Sequence, residues 1–381
     1  MSEFRIDQIK SQDATRGPDV AGITTFTGTS GIVMPSGDTA YRGGRGRGVW
    51  TGGYAAPANN DRLEYVTIAT TGNATDFGNL TSSRHGVGSS GNSTKSILAG
   101  GSGSRLNPIT KVVSKQLLPI YDKPMIYYPV STLMLANIKE ILVITTRRDI
   151  DSFKKLLGDG NSWGIDFSFK IQDEPQGIAE AFLIGKEFIN NSPCALILGD
   201  NLFHGAELIQ KLNKAEKNKG ATIFLYPVKD PQRYGIAEFD NNQKVISITE
   251  KPSKPKSKYA ITGLYFYDEK VVNFAESLTP SKRGELEITD INQLYLNNNN
   301  LTAEILSRGS AWLDTGTFDS LSEAGTYIQT LEKRQGLKIG CPEEIAWNKG
   351  WISDNQLEKI SLKNPNSEYS RYLKELLLKE Y

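Results

Sequence analysis

The sequence predicts an α/β protein on a doubly wound, mostly parallel sheet, with a helical C-terminal part and a Gly/Thr/Ser-rich stretch of β or disordered character ahead of it. Three observations lead there. Residues 140–146 (Glu-Ile-Leu-Val-Ile-Thr-Thr) and 194–198 (Cys-Ala-Leu-Ile-Leu) are apolar without alternation, as parallel strands covered on both faces must be. Between them lie segments with helical spacing of apolar residues. Ile97-Leu98-Ala99 breaks into Gly100-Gly101-Ser102-Gly103, so a buried strand ends in a glycine turn, where open α/β sheets gather their ligands.

Residues 1–94 differ in kind. They are dense in Gly, Thr, Ser and Asn and show no helical period, which predicts short strands, turns and disorder. The single Arg42-Gly43-Gly44-Arg45-Gly46-Arg47-Gly48 run reads as a flexible turn rather than a nucleic-acid contact, because no basic domain accompanies it. The second domain spans residues 95–381. Its first strand is the one at Ile97, helices are expected over 124–136 and 178–189, and strands over the two aliphatic runs. Further helices are expected over 320–334 and 368–378, where Leu321, Tyr327, Ile328 and Leu331 recur at helical spacing in the first.

Composition narrows the function. A chain of 381 residues accommodates two domains. Lys and Arg number 44 against 43 Asp and Glu, so a net charge of +1 supplies no field to recruit nucleic acid or an anionic membrane. The two cysteines, Cys194 and Cys341, lack the spacing of a metal knuckle or redox pair, which suits a reducing cytoplasm. No apolar stretch approaches the roughly 18 residues of a membrane span, and no leader-like segment opens the chain.

The glycine turn reads as a phosphate cradle, since glycines let backbone approach a ligand that a Cβ would block. It lacks the Gly-Lys-Ser/Thr ending of a Walker loop, and Leu106 stands where a dinucleotide fingerprint needs its third glycine. The cations come later, as Arg105 and Lys115. Asp200 follows the strand ending at Leu198, and Asp314 stands on an expected tight turn in Ala311-Trp312-Leu313-Asp314-Thr315-Gly316. Such acids serve as turn or cap residues or as ligands for magnesium, which binds through one or two carboxylates plus substrate phosphate. Glu250-Lys251-Pro252 is by itself a solvated strand end, and Arg283-Gly284-Glu285-Leu286-Glu287-Ile288-Thr289-Asp290 a helix start.

Taken with Ser114-Lys115-Gln116-Leu117-Leu118-Pro119, the run from Ile97 to Leu106 resembles the sugar-1-phosphate nucleotidylyltransferases, and within them the glucose-1-phosphate thymidylyltransferases. The resemblance extends from about Ile97 to the C-terminus and implies their Rossmann-like fold. It also implies that Leu98, Gly100, Gly101, Gly103, Gln172 and Gly177 hold the nucleotide, the Gln172 amide reading the thymine edge. Tyr234, Gly235, Glu250, Lys251, Gly263 and Arg283 would hold the sugar phosphate, and Asp200 and Asp314 a Mg²⁺ ion. Arg105 would act on the triphosphate, Lys115 near the α-phosphate and Lys251 on the sugar phosphate. The implied reaction joins dTTP and glucose 1-phosphate into dTDP-glucose and pyrophosphate, a first step towards dTDP-rhamnose and related sugars. A phosphate monoester is already a nucleophile, so neither His85 nor His204, the latter expected in a loop, has a catalytic part. The C-terminal helices of the family imply a cytoplasmic homotetramer with a second, inhibitory nucleotide-sugar site.

Three features depart from the family pattern. Ser104 stands where Thr is usual, Glu180 replaces a frequent Gln, and the first strand begins in unfamiliar sequence, which predicts imperfect pairing. Ahead of it, residues 23–35 and 64–78 resemble segments of tail-fibre or virion-associated proteins of marine bacteriophages, which would place a phage-encoded protein in the host cytoplasm. That resemblance supports a rival reading, a virion-associated or carbohydrate-binding protein with an inactive transferase domain. A UTP-using enzyme of the same fold is the other.

Overall fold

Nine strands form one sheet around β1 (Lys95–Ala99), which lies between β2 (Glu140–Thr145) and β4 (Cys194–Leu198) and is parallel to both. β3 (Asp166–Ile171) extends the parallel half beyond β2. On the other side, β8 (Tyr259–Tyr267) runs antiparallel to β4 and to β5 (Ala221–Pro227), and β9 (Leu301–Ile305) closes the edge parallel to β5. The order is thus β3-β2-β1-β4-β8-β5-β9, with a side ribbon of β6 (Gly235–Phe239) and β7 (Val245–Glu250) attached to β8 through β6. The computed structural model describes residues 94–100, 103–174, 176–240 and 244–378, together with the backbone of five earlier strands.

Two compact units divide the chain, Met1–Asn92 and Ser93–Tyr381. In the first, Arg62–Thr67 pairs antiparallel with Arg47–Thr51 and Thr75–Asn79, and Tyr54–Ala55 pairs with Ala58–Asn59. Residues 23–35 and 42–46 lie outside the described residues, and residues 64–78 overlap two of these strands.

The aliphatic runs do what their composition requires. Alternate residues of β1 and β2 enter two cores, Leu98, Ile141 and Val143 on one face and Ile97, Leu142 and Ile144 on the other. Each such side chain contributes on the order of 1.5–3 kcal/mol when fully buried. The expected imperfect pairing of β1 is not found: all five residues pair with β4 and four with β2. Unfamiliar residues suffice because Ser96 is fully buried with only a small side chain to place, while Ile97 and Leu98 carry the packing.

Helix boundaries differ from expectation for local reasons. The helix expected over 124–136 is Tyr127–Leu135, because Lys123–Pro124 pairs with Pro119–Ile120 and the residue before a proline favours extended backbone. Pro129 falls in the first turn, where its missing N–H has no intrahelical partner to lose. The helix expected over 178–189 is two pieces, Glu180–Ile184 and Lys186–Ile189, meeting at Gly185. A Cβ on Gly185 would stand 2.7 Å from the Ile97 side chain, so the break lets the chain lie against β1.

The C-terminal part holds helices Phe318–Gln335, Pro342–Asn348, Asp354–Ser361 and Glu368–Leu377. The longest starts at a Thr317/Ser320 capping box and stops at Gly336, whose φ of 73° few other residues adopt. Ala324 and Ile328, with Leu321 and Tyr327, pack on Ile120, Met125, Tyr128 and Leu202. Farther along, Glu332 receives Lys123 at 2.8 Å and Lys338 at 3.2 Å, a charge cluster that ties this helix to the Pro119–Ile120 ribbon.

Candidate active site

The C-terminal ends of β1 and β4 open into two adjoining cavities of about 320 and 380 Å³. At the end of β1, Gly100 donates its N–H to the Ile144 carbonyl at 3.1 Å, and a Cβ there would stand 3.2 Å from that oxygen. Gly103 takes a left-handed φ of 65° and starts the short turn Ser104–Leu106. Leu106 is fully buried beneath the turn, which leaves Arg105 exposed at the border of the two cavities. Gly101 lies outside the described residues. Leu98 is part of the core and lines neither cavity.

The smaller cavity gathers Gly100, Gly103, Arg105, Lys115, Gln172 and Gly177. Gly177 has φ 108°, and a Cβ on it would overlap the Leu286 carbonyl oxygen at 2.3 Å. Two hydrogen bonds lock that approach: the Leu286 N–H donates to the Gln176 carbonyl at 2.6 Å, and the Ala179 N–H to the Leu286 carbonyl at 3.2 Å. The glycine therefore permits two loops to touch. The larger cavity gathers Asp200, Tyr234, Gly235, Glu250, Lys251, Gly263, Arg283 and Asp314, with Arg105 shared. β8 supplies Gly263 from mid-strand because it runs antiparallel, which brings Leu264 opposite Ile197 near the end of β4.

Charge in the larger cavity is closely balanced. Lys251, at φ 41°, meets Glu250 at 3.0 Å, and Arg283 meets Glu287 at 2.7 Å, Glu285 at 3.1 Å and Glu250 at 3.6 Å. Thr289 donates to the second Glu250 oxygen at 2.6 Å. Between the cavities, Lys115 is ion-paired with Asp200, both side chains about nine-tenths buried. Burial alone would raise the Asp200 carboxyl, but the Lys115 ammonium beside it outweighs that and holds it below the usual range. Asp314 is not on a turn: it ends a strand, Ala311–Asp314, paired antiparallel with Asn201–His204, and sits opposite Asn201. Burial and then the negative charge of Asp200 push its carboxyl up. His204 lies in its partner strand, Asn201–His204, rather than a loop, its Nδ1 2.9 Å from the Tyr327 hydroxyl.

Residues 95–330 match the Nucleotidyl transferase family. The glucose-1-phosphate thymidylyltransferase of Neisseria meningitidis is 55% identical over 284 residues, 74% of this chain and 99% of that protein. This chain belongs to the glucose-1-phosphate thymidylyltransferase family. The Xanthomonas campestris member is 56% identical over 278 residues, 73% of this chain and 94% of that one. A Bacillus anthracis crystal structure assigned to the same enzyme, in complex with sucrose, is 42% identical with a TM-score of 0.58, covering 62% of this chain and 95% of its own.

Sequence reasoning missed Asn201, although it stands next to Asp200. Asn201 is 3% exposed; its Oδ1 accepts from Trp312 Nε1 at 2.6 Å and from the Gly263 N–H at 3.0 Å. With the carbonyl so occupied, Nδ2 faces Asp200 and donates to it at 3.0 Å. The amide thus orients the acid. Gly263 must be glycine for this, since a Cβ would stand 2.6 Å from Asn201 Oδ1. Alternation gives no signal for it, since Leu202 on the opposite face of the strand is buried as deeply as Asn201 and Phe203. Sequence reasoning also missed Glu287, the strongest partner of Arg283.

The Gly177 contact makes a prediction. Gly177→Ala should destabilise the protein by about 1–3 kcal/mol, as other forced insertions do. Urea denaturation would check this; an unchanged value would mean that the loops separate without consequence.

Proposed function

We propose that the chain transfers a thymidylyl group from dTTP to glucose 1-phosphate, releasing pyrophosphate and forming dTDP-glucose for the routes to dTDP-rhamnose and related sugars. The observation that carries this reading is the pair of cavities meeting at Arg105, Ile178, Leu198 and Glu285. One offers a glycine turn and an amide, the other Lys251 and Arg283 among hydrogen-bonding groups suited to a hexose phosphate.

The reaction is an in-line attack by a phosphate oxygen of the sugar phosphate on the α-phosphorus of the nucleotide, with pyrophosphate as the leaving group. The nucleophile is already anionic, so no general base is needed and His204 stays structural. Two anions must instead be held together against their repulsion. Arg105 supports the departing charge, Lys115 lies beside the reacting phosphate and Lys251 grips the sugar phosphate; alignment of this kind is worth roughly 7–11 kcal/mol. Arg283 is shared among three carboxylates, so it holds the larger cavity in shape and contributes only part of its charge to the ligand.

The donor set fits magnesium. Asp200 is kept anionic by Lys115, and Asp314 carries a raised carboxyl because of burial and the Asp200 charge, a repulsion that a hard divalent cation relieves. When bound, Mg²⁺ supplies charge neutralisation between the triphosphate and the sugar phosphate. Among the described residues no cluster of three or more His, Cys, Asp or Glu side chains that could hold a metal occurs, so an ion on Asp200 and Asp314 would take the rest of its shell from substrate oxygens and water.

Pyrophosphate release with dTTP and glucose 1-phosphate, and dTDP-glucose identified by mass, tests the reaction; faster turnover with UTP would reassign the nucleotide. The reading includes a cytoplasmic homotetramer built from the catalytic portion, with residues 1–92 dispensable for chemistry. No helix among the described residues is long and apolar enough to cross a membrane. A chain starting at a methionine placed before Ser93 should keep the full turnover rate and elute as a tetramer in light scattering coupled to size exclusion. A folded but inactive product would assign part of the site to the removed residues, and a monomer would remove the tetramer.

A further inference from the structure

Glu180 precedes Ala181, which lines the smaller cavity, and its carboxylate bonds both Gln172, another lining residue, and Gln176. One of its carboxylate oxygens, Oε2, accepts from Gln172 Nε2 at 2.5 Å and from the Gln176 N–H at 3.0 Å. A carboxylate accepts and does not donate, so of the two ends of the Gln172 amide only the NH₂ can face it. The carbonyl oxygen and the second N–H of Gln172 are left for the cavity that the side chain lines. Turning the amide over would set its oxygen against the carboxylate and leave that half-buried contact unmade.

We infer that Glu180 sets the choice of nucleotide base by fixing the Gln172 amide in this orientation, so that the site takes pyrimidines with a ring N3–H beside a carbonyl and rejects cytosine. Thymine and uracil present a donor at N3 and an acceptor at O4, the complement of an outward carbonyl and N–H. Cytosine presents the reverse, an unprotonated N3 beside an amino group. It pairs with Gln172 only if the amide turns over, and Glu180 opposes that turn. Glu180 is a positioning residue in this scheme, acting through Gln172. The inference rests on the assignment of the smaller cavity to the nucleotide base.

Glu180→Gln is the discriminating change, because a carboxamide keeps the size and has two settings. With its oxygen in the place of Oε2 it accepts from Gln172 and Gln176 as the carboxylate does, and with its NH₂ there it donates to a turned Gln172 while the exposed Gln176 N–H turns to water, so the second orientation of Gln172 is no longer opposed. Calorimetric Kd values for dTTP and dCTP, with the full chain in magnesium-containing buffer, should show the preference for dTTP falling at least about tenfold in Glu180→Gln, with Tm unchanged. In a Gln172→Ala background the same substitution should leave the preference as it was. An unchanged preference in the first comparison overturns the inference, as does an equal fall in both backgrounds. Turnover separates this from the proposed reaction. A falling Kd ratio with no pyrophosphate release from glucose 1-phosphate supports base selection by Glu180 and rejects the reaction; normal release with a constant Kd ratio does the opposite.

Discussion

Arg105→Ala should lower the rate of pyrophosphate release by about 10²- to 10³-fold, the loss found when one preorganised donor to developing charge is removed. Thermal stability should not move, because Arg105 is exposed and the turn beneath it is anchored by Leu106. The expectation comes from position: the guanidinium reaches both cavities, and a Cβ on Gly316 would lie 3.0 Å from its Nη2, so it stands between the cradle and the Asp314 strand. Lysine in its place should recover a small part of the rate, since a point charge cannot reproduce the planar fork. A folded Arg105→Ala enzyme working within a few-fold of the parent would remove Arg105 from the chemistry.

The two acids should respond in opposite ways when each is made neutral in the metal-free enzyme. Asp200→Asn leaves Lys115 buried without its partner, which costs about 3–5 kcal/mol in comparable cases. The Asp200 carboxyl lies low in the folded state, so its contribution is present above the unfolded value near pH 4 and is lost as pH falls through the folded one. Asp314→Asn should do the reverse. Its carboxyl is raised by burial and by Asp200, so the parent loses stability as pH rises through the folded value, and the amide abolishes that loss. At neutral pH without metal, Asp314→Asn should therefore melt above the parent and Asp200→Asn below it. Millimolar Mg²⁺ should raise the parent Tm and move both variants less. Both should lose most turnover, and the double variant should lose little more than the worse single one, as the proposed sharing of one ion requires. Equal Mg²⁺ shifts in all three proteins would separate the acids from the metal.

Much of the architecture was legible in the sequence because burial on two faces demands unbroken apolar residues. The strand over 194–198 was placed to the residue, bounded by Pro193 and Gly199. Gly100, Gly103, the two acids and the six residues expected to face a sugar phosphate were named from short motifs, and each of them lines one of two touching cavities. Errors arose where a local preference had two uses. Pro124 suits the first turn of a helix, but here it ends a two-residue ribbon; Asp314 suits a turn, but here it ends a strand. Leu98 illustrates alternation: it adjoins the cradle in sequence, yet its side chain points to the core. Contacts across long separations stayed hidden. Nothing near Asn201 announces that Trp312, 111 residues away, will fix its amide.

The central place of β1 bears on how the chain is made. β1 leaves the ribosome before both of its neighbours, and Cys194, which pairs with Lys95, follows it by about a hundred residues. At ordinary synthesis rates of about 5–20 residues per second, one edge of β1 waits roughly 5–20 seconds for β4. During that interval Ile97 and Leu98 expose apolar surface next to open backbone, a combination that invites pairing with other chains. Synonymous codons that slow translation between β2 and β4 should therefore lower the soluble yield, whereas the same pauses placed after β4 should not.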